Sequence, residues 1–345
     1  MESSMAPKTN GSIAGETADT AGTRMKAVVH QRYGSAAALE LREIDVPPIA
    51  DDQVLVRVHA SSVNPAEWYT VMGPIFARVP NGLRRPKSNK IGADLAGRVV
   101  AVGGDITEFQ PGDEVFGTSG HSWAEYAPAR EVRLVRKPTN ISFEEAGAVP
   151  IAALTALQGL REHGHVERGM KVLINGASGG VGTYAVQLAK SFGADVTAVC
   201  SPRNVEQASS LGADRVCNYA EEDFTQSSER YDLMLDIAGS RPFSKFRRVL
   251  EPKATVVVIG AKMSAKGLGP LKHIAGTRVT SIGRSQTVKF FVAKINKEDL
   301  AFLADLLAAG TIRSVIDRRF DLDHVADALG YLGEGHARGK IVVVP

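Results

Sequence analysis

From Met25 to about Lys137 the hydrophobic positions come in short β-branched runs set apart by turn residues. KAVVH, LELREIDVP, DQVLVRVHASSV, AGRVVAVG and VRLVRKP alternate or run apolar at strand length, with PGDE and GGD as turns between them. This half is predicted to be mostly β. From Phe143 the period changes. EEAGAVPIAALTALQGL is helical in spacing, and beyond it strands and helices alternate through Ile282. The strands read KVLIN, DVTAVC, RVCNY, DLMLDIAG, ATVVVIG and TRVTSIG, apolar throughout as parallel strands covered on both faces must be. Six such units predict a doubly wound sheet in an α/β fold. Farther on, EDLAFLADLLAAG reads as an amphipathic helix ended by Gly310, and RSVIDRRF and GKIVVVP read as strands. That last stretch is too short for a domain of its own, so it is expected to rejoin the N-terminal β half.

Composition narrows the picture. A chain of 345 residues is long for one core and suggests two domains. No apolar stretch approaches the roughly 20 residues of a membrane helix. Lys plus Arg (41) nearly balances Asp plus Glu (38), and neither sign forms a long block, so nucleic acid is not an expected partner. Two cysteines, Cys200 and Cys217, make neither a disulfide framework nor a zinc-ligand spacing, which points to a reducing, cytoplasmic location. Residues 1–24 are polar and rich in Gly, Ala and Thr, with no hydrophobic segment for secretion and too many acids for a transit peptide. They read as a disordered tail.

The densest signal follows KVLIN, which leads directly into Gly176, Gly179, Gly180 and Gly182, with Ser178 and Val181 among them. The next helix puts Val181, Ala185, Leu188, Ala189 and Phe192 on one face. A bare glycine pattern is weak, but strand, glycine turn, helix and strand form the setting that a dinucleotide fingerprint requires. A pyrophosphate must approach the N–H groups at a helix N-terminus more closely than any Cβ permits. The competing reading is a glycine-rich turn with no ligand.

In NAD-binding units an acid at the end of the second strand accepts hydrogen bonds from the adenosine ribose. Here Cys200 and Ser201 hold that place, with Arg203 two residues on. A carboxylate would repel the extra phosphate of NADP, whereas a hydroxyl and a guanidinium bind it. NADPH is therefore the expected cofactor, against the plainer reading of Arg203 as a solvated arginine at a helix start.

Together, SSVNPAEWY, IGADLAGRVVAVG with PGDEVFG, WAEYAPA, EEAGAVPIAALTAL, NGASGGVGTYAVQLAK and SLGADRVCNYAEEDF resemble the medium-chain dehydrogenase/reductase superfamily. Within it they resemble the zinc-less quinone oxidoreductases that include zeta-crystallin. The resemblance spans Met25 to Pro345. It implies a GroES-like β-rich catalytic domain (25–145 and 288–345) split by an inserted Rossmann domain (146–287) with a six-stranded parallel sheet. It places Asn64 near the nicotinamide, Thr155 at the domain junction against the cofactor, and Tyr219 with Ser201 and Arg203 around the adenosine phosphate. Ala238, Ile259 and Gly260 are implied to line the same crevice.

Zinc alcohol dehydrogenases of the superfamily carry a cysteine and a histidine where this chain has Asn64 and Ala93, and it also lacks the four clustered cysteines of a structural zinc. No metal is expected, and Asp94 is assigned to organising the cleft wall. Without a Lewis acid, simple alcohol oxidation becomes improbable, while quinones and α,β-unsaturated carbonyls accept hydride readily. Tyr69 is the best side-chain donor to the developing oxygen, against a reading as a packing aromatic. Trp68, Trp123 and Tyr126 fit either a substrate wall or a core. His121 and His163 read as structural, and the Pro-, Gly- and Arg-rich stretch from Gly73 to Lys90 as a mobile loop near the cleft. The alternatives are a zinc-dependent alcohol dehydrogenase and a non-catalytic NADPH-binding structural or regulatory protein. TRVTSIG, taken as an unprotected edge strand, points to a homodimer.

Overall fold

The computed structural model describes residues 22–260, 269–281 and 285–345. Most of the tail expected over 1–24 therefore lies outside the described residues. The β-rich half holds β1 (Arg24–His30), β2 (Leu39–Asp45), β3 (Gln53–Val63), β4 (Asp94–Val102), β5 (Glu114–Thr118), β6 (Tyr126–Arg130) and β7 (Leu134–Arg136). Strands β1 and β2 form an antiparallel ribbon, and β3, β4, β5 and β7 pair in that order. Alternation turns Val54, Val56 and Val58 of β3 into one core with Leu95, Val99 and Val115. Between β3 and β4 lie α1 (Pro65–Met72) and α2 (Ile75–Asn81), so part of the stretch expected to be a mobile loop is a short helix.

The single helix expected from EEAGAVPIAALTALQGL is two, α3 (Phe143–Gly147) and α4 (Pro150–Gln158). The break falls at Pro150, which has no N–H to continue α3 and instead takes the first turn of α4. Then come β8 (Lys171–Asn175), α5 (Gly180–Ser191), β9 (Asp195–Cys200), α6 (Val205–Ser210), β10 (Arg215–Asn218) and β11 (Tyr231–Asp236). They are followed by α7 (Phe243–Phe246), β12 (Leu250–Val258), α8 (Gly269–Ser281) and β13 (Thr287–Phe290). The sheet runs β10-β9-β8-β11-β12-β13, parallel throughout, which is the doubly wound order.

One strand was expected in the wrong place. Thr277 to Ser281 of TRVTSIG lie in α8, while Ile282 and Gly283 fall outside the described residues, and the sixth strand is TVKF. The β-branched residues favour a strand locally, but two neighbouring parallel strands need a crossover between them, and α8 supplies it. Strand β13, paired in the parallel sheet, spans the position between 287 and 288 where the domains were expected to meet.

The chain ends with α9 (Lys297–Ala308), β14 (Ile316–Asp321), α10 (Val325–Gly333) and β15 (Lys340–Val344). Strand β15 pairs antiparallel with β3, Ile341 opposite Val63 and Val343 opposite Ser61, so the C-terminal stretch does rejoin the N-terminal half. This pairing delivers Lys340 to the end of β3 where Asn64 begins α1. Among the described residues no helix is long and apolar enough to cross a membrane.

Candidate functional site

The carboxyl ends of the central strands form the crevice. Strand β8 ends at Asn175, whose carbonyl accepts from the N–H of Ala238, while the Asp236 carbonyl accepts from Ile259 and Gly260. Ala238, Ile259 and Gly260 are thus gathered at the ends of β8, β11 and β12, where the sheet order reverses direction.

The glycines of the turn divide by what they serve. A Cβ on Gly182 would lie 2.1 Å from the Gly176 carbonyl oxygen, so the turn itself demands this glycine. A Cβ on Gly179 would meet nothing nearer than 3.8 Å. Packing does not require Gly179, and its missing side chain leaves room for something outside the protein. Ser178, Gly179, Gly180 and Val181 surround the N-terminus of a 12-residue helix whose first amides have no intrahelical acceptor. Aligned peptide dipoles add positive potential there, so the cradle fits a pyrophosphate.

At the end of β9, Ser201 Oγ accepts from Asn204 Nδ2 at 3.0 Å. The Tyr219 N–H donates to the Cys200 carbonyl, which brings the exposed Tyr219 alongside. Arg203 donates to the His336 carbonyl at 2.6 Å. Arg338, a residue sequence reasoning missed, donates through Nε to Asn204 Oδ1 at 2.8 Å and through its terminal nitrogen to the Arg203 carbonyl at 3.0 Å. Two guanidiniums from distant parts of the chain therefore meet where the ribose acid is missing. Each is held by neutral acceptors only, and neither joins an ion pair among the described residues. Their charge is free to meet an anion.

The opposite end is a buried polar cluster. Asp94 Oδ2 accepts from Ser62 Oγ at 2.5 Å and Asn64 Nδ2 at 3.0 Å, with Lys340 Nζ at 3.3 Å, while Oδ1 accepts from the Ile151 N–H at 2.8 Å. Asp94 thus ties the end of β3, the start of α4 and the start of β15 together, which is the organising role expected of it. Thr155 lies one turn further along α4, its hydroxyl donating to the Ile151 carbonyl. Lys340 Nζ also donates to Asn64 Oδ1 at 2.5 Å, and its stem runs beside α5, where a Cβ on Gly180 would lie 2.9 Å from Lys340 Cδ. Glu67 is buried, with Oε2 accepting from the Asn64 N–H at 2.9 Å and Oε1 lacking a partner. Burial, reinforced by the charge of Asp94, pushes its carboxyl up to about 7.

Tyr69 is half-buried, edge-on to Trp68 at 5.1 Å and to Phe76 at 5.3 Å, and burial raises its hydroxyl above the ordinary tyrosine range. Trp123 is fully buried with Nε1 donating to the Ser62 carbonyl, and Trp68 is buried too, so these two indoles belong to the core. His163 stacks on Phe291 at 4.2 Å, and burial holds His121 below the usual histidine range.

A zinc ion does not fit this cluster. Asn64 and Ala93 supply no thiolate or imidazole, and the cation serving Asp94 is already the Lys340 ammonium. Among the described residues no three His, Cys, Asp or Glu side chains gather as metal ligands.

A family model for the alcohol dehydrogenase GroES-like domain matches residues 50–140, and one for zinc-binding dehydrogenases matches residues 211–343. The chain is 35% identical to a chloroplast envelope quinone oxidoreductase homolog of Arabidopsis thaliana, over 94% of this chain and 100% of the relative. It is 32% identical to a chloroplastic NADPH-dependent alkenal/one oxidoreductase of the same plant, over 93% of this chain and 80% of that one. Among solved structures, the quinone oxidoreductase from Coxiella burnetii superposes with a TM-score of 0.81 at 31% identity, over 93% of this chain and 99% of that one. Both plant relatives are chloroplast proteins, which overturns the expected cytoplasmic location. Two buried free cysteines fit any compartment that keeps thiols reduced and do not single out the cytoplasm. With a GroES-like lobe, a Rossmann sheet for a nicotinamide cofactor and relatives matching nearly end to end, the chain belongs to the zinc-less quinone oxidoreductase branch of the medium-chain dehydrogenase/reductase superfamily.

Proposed function

We propose that the chain is an NADPH-dependent reductase that delivers hydride to a quinone or an α,β-unsaturated carbonyl without a catalytic metal. One observation carries the reading. The cleft beyond the cofactor crevice is closed by Lys340, Asn64 and Asp94 where a metal-dependent dehydrogenase needs thiolate and imidazole ligands. NADPH supplies the hydride. The glycine turn with Ser178, Gly179, Gly180 and Val181 holds its pyrophosphate, Ala238, Ile259 and Gly260 line its crevice, and Asn64 and Thr155 flank the nicotinamide. Ser201, Arg203 and Tyr219, joined by Arg338, hold the extra phosphate through charge-assisted hydrogen bonds. The name of the alkenal/one relative supports the same choice of cofactor.

Quinones and enones spread the charge that hydride brings, so the protein need only orient the partners and offer a proton. Tyr69 has a hydroxyl without a partner among the described residues and, like Asn64, stands on or beside α1, so it is the proposed donor. NADPH deuterated on the transferred position tests the step. Deuterium should appear on the β-carbon of a reduced enone, and label found only in solvent would refute direct transfer.

The protein is also proposed to be a homodimer that pairs through β13 rather than through TRVTSIG. Among the described residues β13 is an edge of the sheet, and Phe290 and Val292, 49% and 79% exposed, offer apolar surface there for pairing across a two-fold axis. Light scattering that finds a strict monomer would rule this out and leave the reductase reading untouched.

A further inference from the structure

Three large aliphatic side chains, Ile75, Val79 and Leu83, are each more than half exposed. Ile75 and Val79 are four apart on α2 and share one face of it, and Leu83 follows just past the helix end. Their exposure is not that of a loose loop. The other side of α2 is packed: Phe76 lies against Tyr69, Ala77 is buried, and the Arg78 guanidinium sits 4.8 Å above the Tyr33 ring. The Tyr33 hydroxyl donates to the Gly82 carbonyl at 2.7 Å, closing the segment from below. Gly73, at φ +63, fixes its start, because a Cβ there would strike the Tyr33 ring at 2.5 Å. One side is anchored, and the apolar side faces outward.

The charge along this segment is of one sign. Between Gly73 and Lys90 stand Arg78, Arg84, Arg85, Lys87 and Lys90, with no Asp or Glu. Arg32 lines the same hollow as Arg85, Pro86 and Asn89. Arg84, Arg85, Lys87 and Lys90 form no ion pair among the described residues. A segment that only needed solvation would not expose three large aliphatics within so short a stretch. Exposed aliphatic side chains followed in the same segment by unpaired cations match what lies in the plane of an acidic bilayer, with apolar groups at the headgroup boundary and cations on the headgroups.

We propose that the outer face of α2, with Leu83 and the cations from Arg84 to Lys90, docks the protein on an anionic lipid surface. Because α2 packs on Tyr69, docking brings the acceptor end of the cleft to the lipid; that consequence rests on the reductase reading, whereas the docking does not.

Flotation of the full chain tests it, with vesicles of equal parts phosphatidylcholine and phosphatidylglycerol against vesicles of phosphatidylcholine alone. The protein is expected to float with the mixed vesicles, and the binding to weaken as salt screens the headgroups. Arg84→Gln with Arg85→Gln and Lys87→Gln should lower partitioning about fivefold per charge removed. Val79→Ser with Leu83→Ser should lower it about tenfold at unchanged charge. All five positions are exposed, and an unchanged melting temperature confirms that the variants fold. No flotation with either vesicle, or flotation that neither set of substitutions reduces, would overturn the proposal. So would polyglutamate binding as tight as vesicle binding, or self-association that Val79→Ser and Leu83→Ser abolish in a chain that ignores lipid.

Discussion

The ammonium of Lys340 donates to the side-chain carbonyl of Asn64 at 2.5 Å, across 276 positions of chain. Asp94 stands 3.3 Å from the same ammonium, and both ionic side chains are almost wholly buried. Removing one member of such a pair leaves the other charge without compensation. Lys340→Met should therefore destabilise the protein by about 3–5 kcal/mol in urea unfolding. Adding Asp94→Asn should recover part of that loss, and strict additivity of the two would mean that the pair is not coupled.

Glu67 gives stability a pH dependence of known sign. Its carboxyl is raised in the fold from 4.5 to about 7, so the folded state holds the proton more tightly than the unfolded chain. The contribution is fully present below pH 4.5 and is lost as pH rises through 7, by about 3 kcal/mol. Glu67→Gln keeps an acceptor for the Asn64 N–H and carries no charge. Its stability relative to the parent should rise between pH 5 and pH 8, as read from urea midpoints, and an unchanged difference would show that Glu67 titrates normally.

The turn glycines should separate folding from binding. Gly179→Val places its Cβ no nearer than 3.8 Å to any neighbour and should leave the melting temperature nearly unchanged while abolishing the fluorescence change on NADPH titration. Gly182→Ala drives a Cβ to within 2.1 Å of a backbone oxygen and should lower stability by about 1–3 kcal/mol. Equal loss of melting temperature in both variants would contradict this division.

Arg203→Ala and Arg338→Ala should each weaken NADPH by roughly 1.5–3 kcal/mol while NADH binding changes little, because each guanidinium offers a charge-assisted bond to the extra phosphate. Parallel titrations of the two cofactors measure this. Equal losses for both would mean that these arginines do not read the phosphate.

The part of this site built from neighbours in sequence was legible in advance. The glycine turn, the end of β9 and the segment that becomes α1 each carry their chemistry within a few residues, where local spacing can be read. Arg338 and Lys340 could not be read that way. They flank Gly339 in ARGKIVVVP, and only the pairing of β15 with β3 brings Lys340 to Asn64. The signal that could have found them is a pair of cations directly before a strand otherwise wholly apolar. TRVTSIG failed for the opposite reason: its local preference for a strand was overridden by the need for a crossover helix between β12 and β13. Glu67 stood in plain sight within VNPAEW, but its burial depends on packing that no spacing reveals.

A metal-free reductase oxidises NADPH with quinones or enones in excess chelator, which a panel of both acceptor classes measures. Turnover is expected with at least one class, unchanged by the chelator and faster with NADPH than with NADH. Tight NADPH binding without turnover of any acceptor would contradict it, as would activity that the chelator removes and zinc restores.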